Sequence, residues 1–298
     1  MSAVRMAEVA QPVDDVSSAS GGGRETTRHT TPRWLYVVLT LGLVVVLGPF
    51  VWMALSSVKP EAEVREVPPT WLPRDVTWDN YDTLFTDLNM PTFFFNSVVV
   101  ATAVALGNVV FGAMLGYALA KLRFRGRRVL FGLVLVTLMV PGVATFIPQF
   151  VLVTNLGLAN TLPGMILPYL VQPFGVFLMR QYMLSLPDDL IDAARVDGAG
   201  ELRIFASVML PLCGPAMATV GILTFLASWN NFLWPLVIAQ SDDKWTLPVA
   251  LALYSTGEHS TDYGLLLAGS VVVVLPVILV FLVLQRYFVQ GIAMTGIK

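Results

Sequence analysis

Asp188-Asp-Leu-Ile-Asp-Ala-Ala-Arg-Val-Asp-Gly-Ala-Gly-Glu-Leu-Arg-Ile-Phe-Ala-Ser-Val-Met-Leu-Pro211 is a polar island in an otherwise strongly apolar chain. It opens like a helix, because Pro187 precedes Asp188 and Asp189 and acids favour the positive end of the dipole. Leu190, Ala193, Ala194 and Asp197 recur at helical spacing. Gly198 and Gly200 then break the run ahead of a second helical stretch carrying Leu202, Phe205, Met209 and Leu210. The pattern predicts a short helix, a glycine elbow and a return to apolar sequence at Pro211.

What flanks the island sets the fold class. No charged residue lies between Arg128 and Arg180 or between Arg203 and Asp242, and the same holds for Arg33 to Lys59, Pro91 to Ala120 and Asp262 to Arg286. A helix needs about 20 apolar residues to cross the hydrocarbon core. The stretch before Arg180 is long enough for two crossings, and Asn155, Gly157, Asn160 and Pro163 divide it. The expected fold is an all-α membrane protein with six transmembrane helices at about 34–56, 92–120, 129–149, 163–183, 212–239 and 263–285. The island forms a loop over 184–211.

Composition agrees: 298 residues, 56% hydrophobic and 13% charged, with a mean hydropathy of +0.72. A soluble domain carries about twice that charge. The formal net charge of −2 points to no nucleic-acid surface, and the single Cys213 has no partner for an internal disulfide, so it reads as a small packing residue. Fourteen of the 18 Lys and Arg residues fall on one side of the six-span model, including the run Lys121-Leu-Arg-Phe-Arg-Gly-Arg-Arg128. Positive loops stay cytoplasmic, so both termini are expected inside the cell, with the basic run beside anionic headgroups.

Residues 1–32, with Ser17-Ser-Ala-Ser-Gly-Gly-Gly23 and few large apolar side chains, read as a disordered cytoplasmic tail ahead of a membrane domain over 33–298. Residues 57–91, rich in Pro and with Trp71 and Trp78, read as an irregular outer loop on the membrane rim. Gly112-x-x-x-Gly116 offers a flat strip for a neighbouring helix.

Several chemistries are missing. None of the four lysines follows a glycine, so the chain has no phosphate-gripping loop of the Walker type. His29, His259 and Cys213 give no ligand set of any usual spacing, so neither a metal site nor a catalytic residue is expected. Ion-coupled carriers bury ionisable groups within the membrane, and the charge-free stretches leave none. Uphill movement of a solute would therefore draw its energy from another subunit.

Asp192-Ala-Ala-Arg-Val-Asp-Gly-Ala-Gly-Glu-Leu-Arg-Ile-Phe, closing on Leu210-Pro211, resembles the EAA loop of the permease subunits of ABC importers, with Asp192 standing where the motif has Glu. Ser56-Ser-Val-Lys-Pro60, Ser228-Trp-Asn-Asn-Phe-Leu-Trp-Pro235 and the tail after Arg286 are similar to the carbohydrate branch, in particular to the second permease of maltose-type systems. The resemblance implies a type I (MetI-like) permease core in the plasma (inner) membrane and a coupling helix docked on an ATPase. Asp189, Asp192, Ala193, Ala194, Asp197, Gly198, Ala199, Phe205 and Pro211 would make that coupling. Ala193 and Ala194 would permit close approach, Asp197 would cap or pair locally, and Gly198 would form the elbow.

The same resemblance implies a second permease as heterodimer partner, a dimer of ATPase subunits, an extracytoplasmic substrate-binding protein and a sugar as substrate. ATP and Mg would sit on the ATPase, so this chain itself is no enzyme and holds no cofactor. Uncharged polar and aromatic residues within the spans are candidates for the translocation path: Trp229, Asn230, Asn231 and Trp234, then Asn108 and Gln172. Competing readings are an importer of glycerol phosphate, a polyamine or an amino acid, and a stand-alone ion-coupled carrier.

Overall fold

The computed structural model describes residues 33–255 and 262–295, with side chains over 34–254 and 262–283. The tail over 1–32, His29, Glu258, His259 and the last three residues lie outside the described residues. Every regular element among the described residues is helical. Helix α1 (Arg33–Ser56) continues through Pro49, and the chain divides by contact density into a unit ending at Leu47 and one beginning at Gly48.

The second unit is organised on α2 (Met90–Lys121), 32 residues long with its one proline in the first turn, where a missing N–H costs nothing. At 1.5 Å per residue α2 measures about 48 Å, enough to cross a bilayer. Its buried positions include Val104, Asn108, Gly112, Ala113, Gly116, Tyr117 and Ala120, one stripe at spacings of three and four. The stripe packs chiefly on α6 (Pro173–Leu184) and α9 (Gly214–Trp229). Gly112 and Gly116 face Gly175 and Met179, so the flat strip is filled from within the same chain.

Three of the expected spans are broken where the sequence reading had them continuous. The stretch 129–149 is two helices, α3 (Arg127–Met139) and α4 (Gly142–Asn155), meeting at 103° across Val140-Pro141. At about 20 Å each, neither limb alone crosses a core of about 30 Å. The stretch 163–183 divides into α5 (Leu162–Ile166) with a tight turn over Leu167–Tyr169, then α6, with a 41° bend between them. The stretch 212–239 begins after a 79° bend, ends as helix at Trp229, and resumes as α10 (Leu233–Ile238). Proline explains much of this: Pro141, Pro163, Pro168, Pro173 and Pro215 stand at or beside the breaks, where each removes a backbone donor. Helices α11 (Leu247–Ser255) and α12 (Tyr263–Thr295) complete the chain.

The segment over 57–89 is folded rather than loose. The Lys59 side chain is buried, and its ammonium donates to Thr70 O at 2.5 Å and Thr70 Oγ1 at 3.2 Å. Glu63 accepts from the Thr70 hydroxyl at 2.7 Å and from Arg74 N at 3.1 Å; the Thr70 bond leads in holding its carboxyl below the usual range. Glu61 caps α12, accepting from Tyr263 N at 3.2 Å and Gly264 N at 2.7 Å. Burial works to raise the Glu61 carboxyl, but the bonds from Gly264, Arg65 and Tyr263 outweigh it and leave it lowered.

Gly116 tests how closely α2 and α6 must approach. A Cβ there would lie 2.8 Å from Met179 Cβ and 3.0 Å from Arg180 N, whereas at Gly132 in α3 nothing lies within 4 Å. Ala is the better helix former by about 1 kcal/mol. Gly132→Ala is therefore expected to hold or raise the thermal midpoint of the purified protein, and Gly116→Ala to lower it through overpacking of about 1–3 kcal/mol. Equal midpoints for the two variants would contradict this packing.

Candidate functional site

The island folds as its sequence indicates. Helix α7 (Asp189–Val196) ends at Asp197, with Gly198 N donating to Arg195 O and Ala199 N to Ala194 O, both at 3.0 Å. These two bonds form a Schellman closure, which needs a left-handed residue at its hinge, and Gly198 has φ +79°. Ala194 and Ala199 pack inward beside a buried cluster of Tyr117, Met179, Met183, Ile191, Ile204, Met209 and Cys213. Helix α8 (Glu201–Ile204) follows, then a wide turn over Phe205–Met209.

Two polar ties fasten the island to the end of α2. The Tyr117 hydroxyl donates to Glu201 Oε2 at 2.7 Å, while Arg195 donates to Glu201 Oε1 at 2.9 Å across the elbow. One helical turn on, Lys121 Nζ donates to Leu186 O at 2.7 Å and to Asp188 Oδ1 at 2.5 Å. Arg195, then Tyr117, hold the Glu201 carboxyl below its usual value, and the Lys121 hydrogen bond does the same for Asp188.

The coupling candidates divide by exposure. Asp189, Asp192, Ala193, Asp197, Gly198 and Pro211 are exposed, whereas Ala194, Ala199 and Phe205 are half-buried, with the Phe205 ring 5.3 Å from that of Tyr117. Of the three alanines, only Ala193 is exposed. Three apolar side chains stand out of this polar surface: Leu190 (42% exposed), Val196 (87%) and Leu202 (79%).

The polar residues expected along a path also divide. Asn108 is wholly buried: its amide donates to Val104 O at 2.9 Å and Tyr169 O at 2.7 Å, and its oxygen accepts from Gln172 N at 2.8 Å. Trp229 is buried between Phe225 and Phe94, its indole N–H bonded to Val273 O at 3.1 Å. Trp234 is buried against Phe146 and Tyr169, its N–H reaching Gly164 O at 3.3 Å. All three hold the subunit together from inside.

Asn230 is exposed, and Asn231 and Gln172 are half-buried. Asn231 Oδ1 accepts from Trp234 N at 3.4 Å, and the Trp234 ring lies 5.9 Å from that of Tyr169. The break at 170–172 and the residues that follow the break at 230–232 thus meet at the Tyr169 and Trp234 rings. Irregular backbone at membrane depth persists only where protein buries it or where it lines a water-filled cavity.

Sequence reasoning passed over Tyr117, Lys121 and Tyr169. The i, i+4 spacing of Tyr117 and Lys121 at the end of a span was the available signal, and Lys121 was absorbed into the basic run. Arg180, counted with the loop charges, instead lies within α6, donating to Leu119 O at 3.1 Å with its guanidinium 3.6 Å from the Phe131 ring centroid. Among the described residues no group of three or more His, Cys, Asp or Glu side chains is placed to hold a metal ion.

Comparison with known proteins adds four findings. Residues 108–294 match the family described as binding-protein-dependent transport system inner membrane component. The arabinooligosaccharides transport system permease protein AraQ of Halalkalibacterium halodurans is 41% identical, over 91% of this chain and 99% of its own. The diacetylchitobiose uptake system permease protein NgcG of Streptomyces coelicolor is 39% identical over 84% of each chain. Among solved structures, a chain of a bacterial ABC transporter involved in the import of the acidic polysaccharide alginate superposes with a TM-score of 0.77. It is 28% identical, covering 86% of this chain and 95% of that one.

Because open space surrounds Gly198, a substitution there is penalised by backbone conformation alone. Gly198→Asn is expected to keep the elbow, since Asn visits the left-handed region, while Gly198→Val loses roughly 1–2 kcal/mol locally. Limited proteolysis over 196–202 measures this, and equal cleavage of both variants would refute it. The lowered Asp188 and Glu201 carboxyls set the pH window. Their ties are complete above the ordinary carboxyl range near pH ~4 and are lost only as pH falls through the still lower folded values. Amide exchange over 188–201, corrected for intrinsic rate, should accordingly match at pH 7 and pH 5.

Proposed function

The chain belongs to the family of binding-protein-dependent transport system inner membrane components, and from that premise we propose how this permease of an ABC importer works. It pairs with a second permease, and the two enclose the route of a sugar or oligosaccharide across the plasma membrane. A dimer of ATPase subunits, holding ATP and Mg, docks on the island over 184–211. An extracytoplasmic binding protein delivers the solute to the opposite face, and both termini lie in the cytoplasm. The solute crosses without chemical change.

The observation that carries the coupling role is the set of exposed apolar side chains Leu190, Val196 and Leu202 on a polar island braced from beneath. Exposed apolar patches rimmed by polar groups mark docking sites. Exposed Ala193 leaves room for a close approach, and the elbow at Gly198 turns the chain away from the contact. The relatives that handle arabinooligosaccharides and diacetylchitobiose support a carbohydrate solute. So does the chemistry of Asn230, Asn231 and Gln172, neutral donors and acceptors suited to hydroxyl groups.

Two variants test the two halves of the reading. Ala193→Glu, an exposed position, is expected to leave membrane insertion intact while reducing uptake at least tenfold and releasing the ATPase on purification. Full uptake with the ATPase still bound would refute the docking surface. Asn230→Ala with Asn231→Ala is expected to lower uptake by about tenfold, equivalent to roughly 1.4 kcal/mol, with assembly and ATP hydrolysis retained. A fully active double variant would remove these two from the path.

A further inference from the structure

Three sets of polar ties stand along α2. At the island end are Tyr117 and Lys121, bonded to Glu201, Leu186 O and Asp188. Midway is Asn108, bonded to both sides of the break between α5 and α6. At the far end Asn96 donates to Asp243 O and Trp245 O, each at 2.9 Å, and Ser97 Oγ accepts from Leu247 N at 2.7 Å. From Asn96 to Lys121 is about 38 Å of helix, with no proline or other break.

The other helices that meet the island are cut off from it or from the far end. Helix α6 stops at Pro173, beside the break. Helix α9 ends at Trp229, packed on Phe94, but a 79° bend separates it from the island. Helix α2 runs without a bend from its ties at the island to the segment over 241–247.

We propose that α2 is the rod that carries displacement of the island to the far face, with Tyr117 and Lys121 as the positioning residues that fasten it. This rests on the reading of the island as the ATPase-docking loop. Tyr117 and Lys121 lie on one face of α2 and grip the two ends of the island, Asp188 before α7 and Glu201 after the elbow, so α7 cannot shift without loading α2. Gly112 and Gly116 let α2 run closely along α6, and Asn108 transmits the load to the break at mid-height. Asn96 and Ser97 then move the backbone of residues 243–247, which stand on the face where the binding protein delivers its solute.

The test uses the assembled transporter with Ser241→Cys as a reporter, labelled by a membrane-impermeant maleimide with and without a non-hydrolysable ATP analogue. The parent protein is expected to change its labelling rate at least fivefold with nucleotide. Tyr117→Phe with Lys121→Met, which keeps the ring and the aliphatic stem, is expected to reduce that change to under twofold. Solute imported per ATP should fall about tenfold, and Lys121→Arg should retain most of it. An undiminished labelling response and transport ratio in the double variant, alongside uncoupling by Ala193→Glu, would overturn the rod and leave the docking reading standing. If Ala193→Glu were itself fully coupled, the docking reading would fall, and the rod with it. Should the double variant not assemble, Tyr117→Phe alone is measured, and an unchanged response there overturns the assignment.

Discussion

The carboxamide of Asn108 satisfies the constraint on which the rest of the structure depends. In hydrocarbon, each backbone N–H and C=O needs a partner within the protein, and an unpaired one costs several kcal/mol. The chain between α5 and α6 leaves Tyr169 O and Gln172 N without helical partners. Asn108, fully buried on α2, bonds both while also donating to Val104 O. A kink that would otherwise be expensive is thereby fixed to an unbroken helix. The small residues around Asn108 matter for the same reason, since Gly107 and Gly112 let Leu170 and Gly175 approach close enough for those bonds to form.

The same rule sorts the other polar groups within the apolar stretches. The Trp229 and Trp234 indoles each serve a backbone carbonyl on another helix, and Asn96 serves two carbonyls at the far end of α2. These side chains are used up in holding broken segments together. Asn230 remains exposed at the end of α9, its amide donating to Leu226 O of its own last turn at 2.9 Å. Neutral polar residues thus split into a structural set on or against α2 and a smaller set at the edge of the breaks. That smaller set is where the proposed solute route would find its donors and acceptors.

Much of this was legible in the sequence. Charge-free stretches marked where membrane helices run, and Gly198 marked the elbow because a left-handed hinge favours glycine. The breaks were harder to see. Hydropathy does not change at Val140-Pro141 or at Leu170, and prolines within an apolar run signal a kink without giving its angle. Burial was harder still, because Trp and Asn in a span serve equally as path, interface or core, and their partners are 44 to 70 residues away for the two indoles and 61 to 64 for Asn108. Lys59 shows the same limit: a lysine among prolines reads as a solvated loop residue, yet its ammonium is enclosed by Thr70 eleven positions on.

The ties at the island are stronger than their surface position suggests. Exposed ion pairs are screened by water and individually weak, and Arg195–Asp192, with side chains 42% and 69% exposed, is of that kind. Lys121–Asp188 differs, because the lysine side chain is only 4% exposed while the carboxylate is 76% exposed. A buried ammonium left without an acceptor is destabilising by several kcal/mol, so Lys121 holds Leu186 O and Asp188 under a penalty for release that the carboxylate does not share. Tyr117 is likewise buried beneath the outward-facing Glu201. In both ties the enclosed partner belongs to α2 and the solvated one to the island. A force applied to the island from solvent therefore meets flexible, hydrated carboxylates first and a rigid, enclosed helix behind them, which is the arrangement that passes load inward before it gives way at the surface.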